Sequence, residues 1–306
     1  YRKYGTYWGI IMKDKVLFGL IFSIFWLISC LPFFILHLLA DCIAFILHRV
    51  VGYRRKVVRQ NLSNSFPEMS LKEIKSIESK FYHYLADYFV EEIKMMTMSK
   101  KQMLKRMSYS GTEAVLDAMK NRGGGILLMP HYANFEWIAG FSLLLDVNDL
   151  AVQVYKPLKN KYFDKLFNYI RSRFGGINVK KHSTARELVR FKRAGQKYLV
   201  GLIADQNPSS NDARYWTTFL NQDTVFMDGG ERIAKMMNLP VFYCDLFRVK
   251  RGFGKVNFEV ISLEPKQTKE GEITQAFAEK IECTIRRNPP YWFWAHKRWK
   301  HKRENA

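Results

Sequence analysis

Cysteine is scarce in this 306-residue chain: Cys30, Cys42, Cys244 and Cys283 are its only thiols, with no CxxC pair and no zinc-like spacing. A disulfide framework is thereby excluded as an organising principle, which fits a reducing compartment. Two of the four fall in an apolar stretch, where cysteine behaves as a small hydrophobe. Acidic residues are also few, 28 against 49 Lys and Arg, for a net charge of +21. An excess of that size points to anionic partners without choosing among nucleic acid, acidic lipid, phosphorylated glycolipid and acidic carrier protein. No P-loop or EF-hand loop occurs, and Gly123–Gly125 precedes an apolar run instead of following one, so it is not a dinucleotide fingerprint. No cofactor and no metal are indicated. Helix-turn-helix, RNP and zinc-finger wording is missing too, which argues against nucleic acid.

Charge is missing altogether from one long stretch. Residues 16–40, VLFGLIFSIFWLISCLPFFILHLLA, carry none in 25 positions, more than the roughly 20 needed to cross the hydrocarbon core of a bilayer. The run is too long for a cleavable signal, and no small-x-small site follows it. Pro32 divides it, and CIAFILHRVVGY continues the second half, so one kinked span and a helical hairpin both fit. Arg2, Lys3, Lys13 and Lys15 precede the run, and Arg49, Arg54, Arg55, Lys56 and Arg59 follow it. With both flanks basic, the positive-inside rule gives no clean orientation, although the second cluster is denser. The organisation expected is a membrane anchor over 1–52 and a folded body over 53–306.

In the body, apolar residues at helical spacing predict helices over 54–65 and 71–97, with Ser70 as N-cap and Glu73 completing a capping box. From Gly111 onward, short β-rich runs at 125–129, 151–155, 198–204, 240–247 and 256–263 alternate with helical patterns at 113–121, 135–145, 162–174, 184–194, 229–237 and 272–287. That alternation predicts an α/β fold, a mixed central sheet flanked by helices.

The segment GGGILLMPHYANFEW, 123–137, concentrates the chemistry. His131 stands where an apolar strand ends, Asn134 is a candidate N-cap, and Glu136 lies in the first turn of the next helix. Sites in open α/β sheets form beyond the carboxyl ends of strands. A carboxylate five residues along can hold one nitrogen of an imidazole while the other accepts a proton from a hydroxyl. No Ser or Cys occupies a nucleophile elbow, so direct attack by a bound hydroxyl suits these residues better than an acyl-enzyme. Asp205 and Gln206 follow another apolar run and stand either at a site or in a turn. Arg171 and Arg173 end a helical pattern, where each is an anion binder or a complement to the helix dipole.

HYANFEW (131–137) resembles the His-x4-Glu block of the lipid A late acyltransferases, within the wider glycerolipid acyltransferases. Four more blocks resemble that family in the same order: RRKVVRQNLSNSFPEMS (54–70), VYKPLKNKYFDKLFNYIRSRFG (154–175), LIADQNP (202–208) and PPYWFWAHKRWKHKR (289–303). Ala133 replaces a usual Gly, Phe135 a usual Trp and Lys156 a usual Arg, and TFLNQDT (218–224) departs from the family's wording. The resemblance implies a glycerolipid-acyltransferase-like fold and transfer of a fatty acyl chain from a thioester, on acyl carrier protein or coenzyme A, to a hydroxyl of a lipid A precursor. The same chemistry on a lysophospholipid or another glycosylated lipid is the alternative. His131 is then the general base oriented by Glu136, with Asn134, Arg171, Arg173, Asp205 and Gln206 binding substrate. The setting implied is the bacterial inner membrane, with the body facing the cytoplasm. The indole–cation alternation at 289–303 suits an anionic membrane surface or packing against the body.

Overall fold

The computed structural model describes residues 18–209 and 213–303. The start of the uncharged run and the basic residues before it lie outside that range. Two apolar helices come first, α1 (Phe18–Cys30) and α2 (Phe33–Phe45), separated at Pro32 as its missing N–H and fixed φ require. A π-helical turn, Ile46–Val50, extends α2. Phe33–Val50 is long and apolar enough to cross a membrane by length and composition. Its inward stripe of Leu36, Ala40 and Ala44 packs on Ala86 and Val90, while Phe34, Leu38 and Phe45 face outward.

Helices α3 (Arg55–Ser65), α4 (Leu71–Lys94) and α5 (Lys100–Arg106) follow. The expected capping box is present: Glu73 N–H donates to Ser70 Oγ, and Ser70 N–H to the Glu73 carboxylate at 2.8 Å. The body is a seven-stranded sheet in the order β1-β9-β8-β2-β5-β3-β4. The strands are β1 (Met107–Ser110), β2 (Gly124–Met129), β3 (Leu150–Tyr155), β4 (Ile177–Lys180), β5 (Tyr198–Ile203), β8 (Val241–Lys250) and β9 (Phe253–Ser262). All neighbours are parallel except β8 and β9, so the mixed sheet expected from the alternation is observed. Strands β6 (Tyr215–Phe219) and β7 (Gln222–Phe226) form a separate hairpin turning at Leu220 and Asn221, both left-handed. That is the departing TFLNQDT segment.

Helices α6 (Thr112–Arg122), α7 (Lys161–Ser172), α8 (Thr184–Arg193), α9 (Gly229–Met237) and α10 (Glu272–Arg287) cover the sheet. Side-chain alternation separates α7 from α8 and α9. Gln153 donates to the Arg171 carbonyl of α7 at 3.2 Å. Leu128 and Leu202, one residue out of phase with Gln153 in register, lie under Gly230 of α9. Phe191 of α8 meets Tyr198, in phase with Leu202. So α7 lies on one face and α8 and α9 on the other, as right-handed crossovers in opposite directions require.

The apolar hairpin belongs to the α7 face. Phe18 stacks on Tyr162 of α7 with centroids 5.1 Å apart, and Phe33 meets Trp137 edge-on at 6.1 Å. Its polar residues are tied to the body: Arg251, in the β8–β9 turn, bridges Asp41 of α2 (2.7 Å) and Asp87 of α4 (2.6 Å), and Arg248 also reaches Asp87. Asp87 is buried, whereas the Asp41 side chain is 44% exposed. Removing the shared carboxylate strands the largely buried Arg248 and takes one of the two carboxylates that Arg251 holds, so Asp87→Ala should cost about 3–5 kcal/mol. Asp41→Ala should cost under about 1 kcal/mol, because solvent already screens it. Thermal unfolding of both in detergent checks the contrast, and equal losses would refute it.

Candidate active site

Strands β2 and β5 are adjacent and parallel, with Met129 opposite Ile203. Two residues beyond each end, at the sheet's carboxyl edge, stand His131 and Asp205. The Asp205 carboxylate is 1% exposed and takes three donors. His131 gives its backbone N–H to Oδ2 at 2.9 Å, its Nδ1 lies 2.6 Å from Oδ1, and the Trp292 indole N–H reaches Oδ2 at 2.8 Å. Burial pushes Asp205 upward, but His131 and Trp292 outweigh it and hold the carboxyl below its ordinary range. An ionised Asp205 accepting from Nδ1–H leaves Nε2 with its lone pair, the tautomer a proton acceptor needs. The Gln206 amide sits 3.2 Å from that nitrogen. Phe135 (4.9 Å between ring centroids) and Phe293 (6.3 Å) wall the imidazole, whose side chain is 20% exposed.

The expected pairing of His131 with Glu136 is corrected by this geometry. Both ring nitrogens already have partners, and the Glu136 carboxylate is held by Arg171, Nη2 to Oε1 at 2.5 Å and Nε to Oε2 at 2.9 Å. The turn explains the difference. Ala133 is left-handed at φ +48°, and the following helix, Phe135–Leu144, is a 3-10 helix rather than the expected α-helix. Together they send the buried carboxylate toward α7. Asn134 precedes that helix but makes no side-chain cap; its amide donates to Glu91 at 2.8 Å, and Glu91 in turn meets His37 of α2 at 3.2 Å. Tyr84 donates to the Ala133 carbonyl, and Ala133 N–H to the Tyr291 carbonyl, fixing the strained turn from two sides.

A family model described as bacterial lipid A biosynthesis acyltransferase matches residues 10–301. The chain belongs to that family. Among similar curated proteins, a lipid A biosynthesis acyltransferase of Haemophilus influenzae is 22% identical over 94% of this chain and 86% of its own length. A lipid A biosynthesis lauroyltransferase of Escherichia coli is 21% identical over 93% of this chain and 91% of its own.

The arginines expected to bind substrate anions are both engaged in this acyltransferase. Arg171 is committed to Glu136. Burial opposes its charge, yet Glu136 and Glu92 together raise its pKa. Arg173 donates to the carbonyls of Met96 and Met98, tying α7 to the end of α4. The residues that sequence reasoning missed lie in the C-terminal segment. Trp292, Trp294 and Arg298 are buried, so packing against the body prevails there over membrane contact. Arg298 donates to Val225 O at 2.7 Å and to Asn207 Oδ1 at 3.2 Å, two residues after Asp205. Asn207 also meets His296, whose pKa burial lowers to about 4, so that ring is neutral at pH 7. The signal was available: an indole buried among cations needs an acceptor for its N–H.

Glu92 is the second carboxylate at the Arg171 cluster. Burial, then repulsion from Glu136, raises its pKa to about 8. It therefore stays protonated where the unfolded chain, near 4.3, has ionised. Wild-type stability should fall as pH rises from that value through the folded one. Glu92→Gln, a mimic of the protonated form, should remove this slope and exceed the wild type at pH 8, with a smaller difference at pH 5. Melting temperatures across that range check it; an unchanged slope would refute it. Asp205 contributes with opposite sign, its stabilisation present above about pH 3.9 and lost on acidification.

Proposed function

We propose that this acyltransferase moves a fatty acyl chain from a thioester, carried by acyl carrier protein, to a hydroxyl of a lipid A precursor. The observation that carries the reading is the buried Asp205 carboxylate on Nδ1 of a partly exposed imidazole at the carboxyl edge of the sheet. Membership of the lipid A biosynthesis acyltransferase family supports the acyl transfer and the acceptor. The acceptor hydroxyl takes the place of the Gln206 amide at Nε2. His131 removes its proton as the oxygen attacks the thioester carbonyl. Asp205 holds the Nδ1–H and stabilises the imidazolium. Collapse of the tetrahedral intermediate leaves the new C–O ester bond, breaks the C–S bond, and returns the proton from His131 to the departing thiolate. Asp205 is thus the orienting carboxylate. Glu136 is a positioning residue that acts with Arg171 to lock the 135–144 helix against α7.

Residues 1–52 serve as the membrane anchor and 53–306 as the catalytic body, on the cytoplasmic side of the bacterial inner membrane. The outward Leu20, Ile24, Leu27, Phe34, Leu38 and Phe45 side chains support the anchor. Of the two basic flanks, the denser one after the run supports the orientation.

His131→Ala should abolish detectable transfer, and Asp205→Asn should lower kcat roughly a hundredfold to ten-thousandfold. The double variant should be no worse than His131→Ala, because base and orienter act as one unit. Glu136→Ala and Arg171→Ala should be non-additive with each other, and each should lower the melting temperature by leaving a buried charge unpaired. Turnover from labelled acyl thioester onto a lipid A precursor decides it, after a melting check on each protein. Near-wild-type turnover by folded His131→Ala would overturn the mechanism. In cells, loss of the gene should remove one acyl chain from lipid A by mass spectrometry. An altered phospholipid pool with unchanged lipid A would reassign the acceptor.

A further inference from the structure

On the sheet face away from the apolar hairpin, α8 and α9 enclose an open groove of about 410 Å3, lined by Ala185, Arg186, Val189, Arg190, Arg193 and Met236. Its floor is apolar, and Met236 is 52% exposed. Its rim is cationic: the Arg186 and Arg190 side chains are 83% and 69% exposed, and Arg193 is exposed as well. Glu187 lies 2.7 Å from Arg190 and 3.9 Å from Arg186, which leaves the three arginines in excess by two charges. Nothing in the chemistry described above uses them.

We infer that this groove docks the acidic carrier protein that presents the acyl thioester. Three observations favour that occupant. The first is charge: arginines around an apolar floor complement an acidic amphipathic helix and would steer its approach. The second is the face. Phe18 and Phe33 seat the hairpin on α7 and the 135–144 helix, the opposite side of the sheet, so a soluble partner reaches the groove when the hairpin is in lipid. The third is reach. Helix α8 starts just beyond the carboxyl end of β4, the edge where His131 stands. From β2 through β5 and β3 to β4 is three strand positions, roughly 14 Å at the usual spacing. A flexible prosthetic arm can span that while its protein rests on α8. The inference rests on the thioester donor proposed above.

The test is binding, separate from turnover. Full-length protein in nanodiscs of zwitterionic lipid is titrated with fluorescent acyl-acyl carrier protein and followed by anisotropy. The triple variant Arg186→Glu, Arg190→Glu, Arg193→Glu should raise Kd about tenfold or more and lose most of the salt dependence seen in the wild type. The triple Arg→Lys variant, which keeps the charges, should stay within a fewfold of wild type. Melting curves should be unchanged, since all three side chains are at the surface. Unaltered affinity in the folded Glu variant would overturn the inference. So would unaltered affinity accompanied by lost flotation with anionic vesicles, which would give the groove to the bilayer. A wild type that binds carrier protein through these arginines yet transfers no acyl chain would leave the docking surface standing and sink the proposed reaction instead.

Discussion

The Asp205 carboxylate is the point on which the site hangs. It is buried, it is held below its ordinary pKa, and its three donors come from two distant parts of the chain: His131 after β2, through its backbone N–H and its ring, and Trp292 in the C-terminal segment. An ionised carboxylate taken out of water costs several kcal/mol unless its lone pairs are filled. Here Oδ1 takes the imidazole, and Oδ2 takes a backbone N–H and an indole N–H. The satisfaction of the charge and the orientation of the imidazole are therefore the same set of bonds.

Around that centre, the two ends of each ion pair do structural work at a distance. Glu136 and Arg171 join the 135–144 helix to α7. Asn134 and Glu91 join the strained turn to α4, and through His37 to α2. Arg251 gathers α2, α4 and the β8–β9 turn at one place. The apolar hairpin is thereby packed and hydrogen-bonded onto the same body that carries His131.

Much of the fold could be read in advance, because periodicity reports it directly. The five expected strands and the capping box at Ser70–Glu73 are present, and the helices fall within a few residues of their expected limits. The strands missed, β1, β4, β6 and β7, are short, of four or five residues, and carry little alternation to detect. In the site, His131 and Asp205 were both recognisable at strand ends, but which carboxylate the imidazole meets was not. Sequence proximity favoured Glu136. Strand adjacency, fixed by β2 lying beside β5, favoured Asp205, and no local pattern reports adjacency. The contribution of Trp292 was hidden for the same reason: it acts at a separation of 87 residues from Asp205.

That separation sets an order of events during synthesis. The hairpin and α4 leave the ribosome early, and both strands that present His131 and Asp205 follow. The indole that completes the carboxylate's partners is made much later, as are Tyr291, which steadies Ala133, and Arg298, which holds Asn207. The hydrogen bonds around Asp205, Ala133 and Asn207 are therefore complete only when the segment from 289 to 299 has folded back onto strands made long before it.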